Sequence, residues 1–395
     1  MFLFFILALC FVSSCAFNVG IGIYDTTGPS TEINFMGYAV PGQRGTGIHL
    51  RLRSRAFIIE SSHEDDERIA YVSVDGGMSS DLVKTKVLEK VADAVGTGIY
   101  TEKNVAISGT HSHSGPGGFL QYVLYQSTSL GYVEETFDAI VEGVAQSIIS
   151  AHEKLEPIKI SINQGTLSDD SNINRSPTSY LLNPEEERNQ YPDGDTDKTM
   201  TLLKFSRQNK DGSEDVDIGI LNWFAVHATS MNNTNTLVSG DNKGYASALL
   251  EKSFNGPSSQ AGHGPFVAAF ASSNLGDVSP NTRGAKCIDT GLACDGTTST
   301  CNGRCEKCIA FGPGVAGDMV MSTQIIGEKQ AKFAKGLMDS AKEEIEDIPG
   351  SVKSAHSFVK FTELNVTISG AEGDDTVQLC SPAMGYAFAA GTTGT

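Results

Sequence analysis

Ile69-Ala-Tyr-Val-Ser-Val-Asp-Gly-Gly77, Ser79-Ser-Asp81 and Asn104-Val-Ala-Ile-Ser-Gly-Thr-His-Ser-His-Ser-Gly115 together decide the fold class. Ile69 to Val74 reads as a strand, stopped by the turn former Asp75-Gly76-Gly77. Ser79-Ser80-Asp81 caps a helix in which Val83, Val87, Leu88, Val91 and Val95 recur at helical spacing. Asn104 to Ser108 is the next strand, and it runs straight into His111 and His113. Strand, helix, strand in that order predicts a parallel pair with a right-handed crossover, its chemistry at the carboxyl ends of the strands. Gly115-Pro116-Gly117-Gly118 then forces the chain to turn, so two imidazoles one residue apart can face one small volume. Imidazole is the commonest protein ligand for zinc. The plainer alternative is a pair of loop histidines bonded to nearby backbone.

Outward from this unit the same grammar repeats. Phe17 to Thr26, Arg51 to Glu60, Pro157 to Asn163, Met200 to Phe205, Ile218 to Val226 and Phe266 to Ala271 read as strands. Gly131 to Leu155, Asp241 to Lys252 and Ser322 to Glu346 read as helices, and Phe358 to Ile368 is strand-like. The predicted class is α/β: a mixed, largely parallel sheet core with flanking helices and long loops. Ser171 to Asp197 is polar and irregular; its run Glu185-Glu-Glu-Arg188 is a solvated face, and a segment of this kind can rim a pocket.

Composition narrows the function classes. The 395 residues carry 29 basic against 47 acidic side chains, a net charge of -18, which argues against nucleic-acid binding and against attraction to anionic membranes. The 42 glycines imply many loops around short elements. Met1 to Ala16 is apolar and ends in small residues, as a secretory signal peptide does, leaving residues 17–395 as one domain. Cys287, Cys294, Cys301, Cys305 and Cys308 crowd together while Cys380 stands apart; in an oxidising compartment this is a disulfide-stapled loop rather than a metal knuckle. Sequons at Asn174, Asn232 and Asn365 permit glycosylation.

Three loops combine an apolar strand, reactive side chains and Gly or Pro: those of His111 and His113, of His227, and of Asp277 and Ser279. If their strands are parallel neighbours, all three meet at one rim. Each has a plain alternative: His227 as a satisfied core histidine, Gly276 to Asn281 as a well-made turn, Arg175 as a surface cation. Ser279 needs a base or a metal nearby to act as a nucleophile, and no G-x-S-x-G elbow surrounds it. Arg175, in Asn174-Arg-Ser-Pro177, could clamp an anion or polarise a carbonyl.

Ser108-Gly-Thr-His-Ser-His-Ser-Gly-Pro116, Asn174-Arg-Ser-Pro177, Trp223-Phe-Ala-Val-His227, Ser230-Met-Asn-Asn233 and Phe266 to Asn281 (which ends Gly-Asp-Val-Ser-Pro-Asn) resemble neutral ceramidases, from about Asn18 to Gly391. The resemblance implies zinc-dependent hydrolysis of the amide bond of ceramide to sphingosine and a fatty acid. It matches His111 and His227 to zinc ligands, His113 and Arg175 to residues at the reaction centre, Ser279 to the nucleophile and Asp277 to a support of that turn. It implies a ceramide-type lipid substrate, transient contact with a membrane surface, and a secreted or cell-surface location. Calcium and magnesium stay open as further ions. In the family the chain continues, with a glutamate and a tyrosine as further zinc ligands, another active-site tyrosine and an immunoglobulin-like domain. The sequence is therefore expected to be C-terminally truncated, with Asp75 a conceivable substitute ligand. The family's partner for Cys380 also lies in that further part, and pairing with Cys305 is the alternative. Other functional readings are a truncated form without activity and a secreted metal-dependent phosphoesterase using Arg175 for phosphate.

Overall fold

Val19 and Ile21 face an apolar core, whereas a side chain added at Gly20 or Gly22 would strike the backbone oxygens of Ala151 and Ser147. One face of the first strand is thus packed with side chains, and the other lies against a helix at backbone distance. The structure, a computed structural model, describes residues 17–61, 67–191, 194–209, 213–340, 346–347, 352–370 and 373–383. The signal segment 1–16 and the last apolar run, 385–395, lie outside the described residues.

The large sheet contains β1 (Phe17–Asp25), β2 (Arg53–Ser61), β3 (Arg68–Val74), β4 (Val105–Gly109), β5 (Glu156–Thr166), β6 (Thr199–Arg207), β7 (Val216–Phe224) and β8 (Val267–Ser272). Their spatial order is β8-β7-β6-β5-β1-β2-β3-β4. The expected parallel pair of β3 and β4 is present, joined through α1 (Asp81–Val95), and β7 and β8 form a second parallel pair joined through α3 (Asp241–Asn255). Every junction between these two end pairs is antiparallel. The sheet is therefore mixed, as expected, but not largely parallel. Residues 62–67 and 208–215 are hairpin-length links, too short for a crossover, and such links allow only antiparallel neighbours.

The sheet curls around Ile21, Phe57, Ile160, Phe205, Leu221 and Ala269, which form its inner core. Helices α1 and α2 (Glu134–His152) cover the outside of one half, and α3 and α4 (Met319–Asp339) the outside of the other. Ser80 caps α1 as its sequence predicts, its side chain accepting the Val83 N–H. The curl brings the two end strands together: Ser272 Oγ, at the end of β8, donates to the Thr110 carbonyl just beyond β4 at 3.1 Å. A buried ion network fills the inside of this seam. Arg55 on β2 reaches Asp75 at 3.0 Å and Glu251 of α3 at 2.7 Å, and Glu251 also accepts the Ala268 N–H of β8.

A smaller sheet, unseen in the sequence, pairs Leu237–Val238, Arg44–Ile48, Thr31–Met36 and Gly115–Pro116 in that order. It pins the chain immediately after the histidine pair. The cysteine loop is stapled by Cys287–Cys301 and Cys294–Cys308; Cys305 and Cys380 are free and exposed, so the alternative pairing of those two is not formed. One sequon is also excluded by the fold. Asn174 is buried and its Nδ2 donates to the Asp195 carbonyl and to Asp277 Oδ2, which leaves no room for a glycan. No helix among the described residues is long and apolar enough to cross a membrane.

Candidate active site

The carboxyl ends of the two end pairs meet at the seam, and the loops that carry His111 and His113, His227, and Val278 and Ser279 converge there. After β4 the chain passes through His111 with φ of +65°, a left-handed backbone rare for a residue with a side chain. The His111 N–H bonds to the Gly76 carbonyl, and His111 Nδ1 bonds to the Gly77 carbonyl. The backbone strain thus turns the imidazole over the neighbouring Asp75-Gly-Gly loop. His227 follows β7 by three residues, and both its N–H and its Nδ1 reach the Val278 carbonyl, at 3.0 Å each. In both residues Nδ1–H donates to a backbone carbonyl, which fixes the tautomer and leaves Nε2 unprotonated, its lone pair turned toward the site.

His113 completes the group. Its Nε2 is 3.1 Å from His111 Nε2, and one ligand atom from each of His111, His113 and His227 can be chosen so that all lie within 4.8 Å of one another. Tyr38 meets the His113 ring edge-on at 4.5 Å and donates its hydroxyl to the Met231 carbonyl at 2.8 Å. Gly37, with φ of +133°, lies so close to the His113 ring that a Cβ would come within 2.3 Å of it. His113 Nδ1 is buried without a hydrogen-bond partner. His113 therefore differs from the other two: no backbone carbonyl fixes its tautomer.

Burial lowers the pKa of all three imidazoles. His227 falls to about 3, with the His111 and Arg175 charges adding to the effect. His113 lies well below its ordinary value, from burial and then from His111, His227 and Arg175. His111 is lowered by burial and by Arg175, against the opposing Gly77 hydrogen bond. Three neutral imidazoles therefore face one volume, with Nε2 of His111 and His227 presenting lone pairs to it. A tetrahedral ion with zinc–nitrogen distances of about 2.0–2.1 Å places its ligands about 3.3 Å apart, a spacing within the 4.8 Å that bounds the nitrogens of His111, His113 and His227. An all-nitrogen donor set also suits zinc. The residues fit such an ion.

Ser279 and Arg175 reach the site through one short ladder. Ile173–Asn174 pairs with Val278–Ser279, and the Arg175 N–H donates to the Asp277 carbonyl at 2.8 Å. Asp277 is exposed and supports this turn: its Oδ2 holds Asn174, and its charge favours the Arg175 cation against the burial that lowers the Arg175 pKa. The Arg175 charge is felt at all three histidines and at Tyr38. Ser279 is fully buried, accepts the Asn281 N–H at 3.1 Å, and follows directly on the residue whose carbonyl anchors His227. Asp75 is not a substitute ligand. Its Oδ2 is taken by the Arg55 guanidinium and by the Arg53 N–H, each at 3.0 Å.

Fold and site together define a mixed α/β protein with a buried imidazole centre able to hold a metal ion at the closing seam of a curled sheet. Comparison with known proteins names the family. Residues 17–395 match the N-terminal region of the neutral/alkaline non-lysosomal ceramidases, and the chain belongs to that family. It is 50% identical to neutral ceramidase B of Dictyostelium discoideum over 378 residues, covering 96% of this chain and 51% of that one. Identity to the neutral ceramidase of Drosophila melanogaster is 46% over 389 residues, covering 98% and 53%. Among solved structures, the neutral ceramidase of Pseudomonas aeruginosa superposes with a TM-score of 0.76 at 35% identity, covering 95% of this chain and 52% of that chain. A ceramidase complexed with C2 gives 0.77, with 35% identity and coverage of 96% and 52%. The chain spans about half the length of the curated relatives it matches.

Proposed function

We propose that this chain carries the centre of a zinc-dependent amidohydrolase that cleaves ceramide to sphingosine and a free fatty acid. The observation that carries the reading is the convergence of three neutral imidazoles on one volume, in a chain of the ceramidase family. His111 and His227 are the zinc ligands in this account, because a backbone carbonyl orients each ring. Zinc held there would supply a Lewis acid for the amide carbonyl. His113, whose Nδ1 is uncommitted, holds and returns the proton that the departing amine needs. Arg175 lends positive charge to the oxygen that becomes negative as the carbonyl is attacked, and Asp277 holds Arg175 in place. Ser279 is the nucleophile, its hydroxyl accepting the Asn281 N–H beside the His227 anchor. Its Oγ bonds to the carbonyl carbon as the C–N bond breaks, its proton passes by way of His113 to the amine, and water then cleaves the acyl ester to free the fatty acid. The substrate is a lipid drawn from a membrane surface, and the location is extracellular, reached through the secretory pathway. The two disulfides support that compartment.

Release of sphingosine from a short-chain ceramide by the purified chain with zinc tests the reading. Release that a chelator stops, zinc restores and His111→Ala abolishes is expected. No release from folded, zinc-supplied chain contradicts it, and turnover of a chromogenic phosphodiester in its place would favour the phosphoesterase reading.

A further inference from the structure

Asp241, Asn242 and Lys243 are consecutive, polar and fully buried, in the first turn of α3. An amphipathic helix turns only part of its circumference inward, and burying three such groups in a row is unfavourable unless each is bonded. Each is: the bonds run mainly to the loop that carries His227 and to the ends of β7 and β8, and Ser239 relays the contact to the His111–His113 loop. The Asp241 carboxylate accepts the N–H groups of Ser230 at 3.1 Å and Met231 at 2.8 Å. Asn242 Nδ2 donates to the His227 carbonyl at 2.9 Å and to Ser230 Oγ at 3.0 Å, while Gln330 Nε2 donates to Asn242 Oδ1. Lys243 Nζ donates to the carbonyls of Phe224 and Ala271, at 3.0 Å each, and so ties together the ends of β7 and β8. Asp241 itself has φ of +54°, and its N–H donates to Ser239 Oγ. Ser239 reaches the other loop: its N–H donates to the Ser114 carbonyl, and its carbonyl accepts from Ser112 Oγ at 2.6 Å.

We propose that Asp241-Asn242-Lys243 is a positioning platform that fixes the His227 loop relative to the His111–His113 loop and so sets the direction of the His227 imidazole. None of the three touches the reacting atoms; they act through backbone carbonyls and N–H groups. The proposal rests on the reading above, in which His111 and His227 serve one ion.

Histidine-selective 15N labelling of the full chain tests it, with the hydrogen-bonded His227 Nδ1–H signal identified by its loss in His227→Gln. Asn242→Ala and Lys243→Met are each expected to speed solvent exchange of that proton at least tenfold while amide protection in β1 is unchanged. Unchanged exchange in both variants overturns the proposal. Simultaneous loss of β1 protection and of the imidazole signal also overturns it, because the residues would then serve global stability. Zinc titration of the same samples separates the two claims. Wild-type chain that takes up no zinc counts against the ceramidase reading, whereas the exchange result decides the platform either way. Where wild type does bind zinc, both variants are expected to bind it at least tenfold more weakly.

Discussion

Burial draws the Lys243 pKa from the ordinary 10.5 down to about 7. A neutral amine keeps two N–H groups, enough for both of its carbonyl partners, so the bonds to Phe224 and Ala271 survive loss of the proton. Between about pH 7 and 10.5 the unfolded chain holds a proton that the folded chain has released. Stability therefore rises with pH across that window and is lost as pH falls through it, by about 1.4 kcal/mol per pH unit from this one group. Urea unfolding at pH 7.5, 8.5 and 9.5 should show Lys243→Met with a correspondingly shallower dependence than wild type; equal slopes would contradict this. The residue scale also shows where sequence reasoning stops. His111, His113 and His227 are legible because each ends an apolar run before a turn. Tyr38 and Asn242 carry no such signal: their roles depend on which backbone atoms the fold brings within 3 Å of them. Asp75 has the right position at a strand end for a ligand, but its partner, Arg55, lies on another strand.

Elements were legible where periodicity was strong. Most strands and long helices fall within a few residues of their sequence bounds, and α1 starts at its predicted cap. The exceptions are α4, which ends at Asp339 while Glu346, expected in the same helix, pairs with β5, and the strand expected over Phe358 to Ile368, which begins only at Asn365. Strand direction was less legible, because it depends on link length as well as on element type, and the hairpin-length links at 62–67 and 208–215 reverse the chain. The small sheet around Thr31–Met36 escaped for a different reason: two of its strands are only two residues long and have no period to read. In β1 the alternation carries more information than burial alone. A Cβ at Gly22 would lie 2.1 Å from the Ser147 carbonyl oxygen of α2, and backbone cannot move aside as a flexible side chain can. Gly22→Ala is expected to destabilise the fold by about 3 kcal/mol or more, read as a lower urea midpoint at unchanged slope. A loss below about 0.5 kcal/mol, the range of a neutral surface change, would show that α2 is not seated on this strand as described.

The whole molecule explains why residues so far apart in sequence make one site. His111 follows the last strand of the sheet in spatial order, His227 the second, and Ser279 lies in the loop after the first. In a flat sheet those ends would be the most distant points. Curling closes them, with the Arg55–Asp75–Glu251 network and the bond from Ser272 to Thr110 at the join. Breaking such a buried network by removing one partner is costly, typically by about 3–5 kcal/mol, which gives the seam a defined geometry. Zinc stoichiometry by equilibrium dialysis tests the resulting centre most directly. One ion per chain is predicted for the wild type, with His111→Ala and His227→Ala each reducing binding at least a hundredfold and His113→Gln leaving one ion bound. Absence of a stoichiometric ion in the folded wild-type chain, or binding indifferent to His111 and His227, would contradict the account.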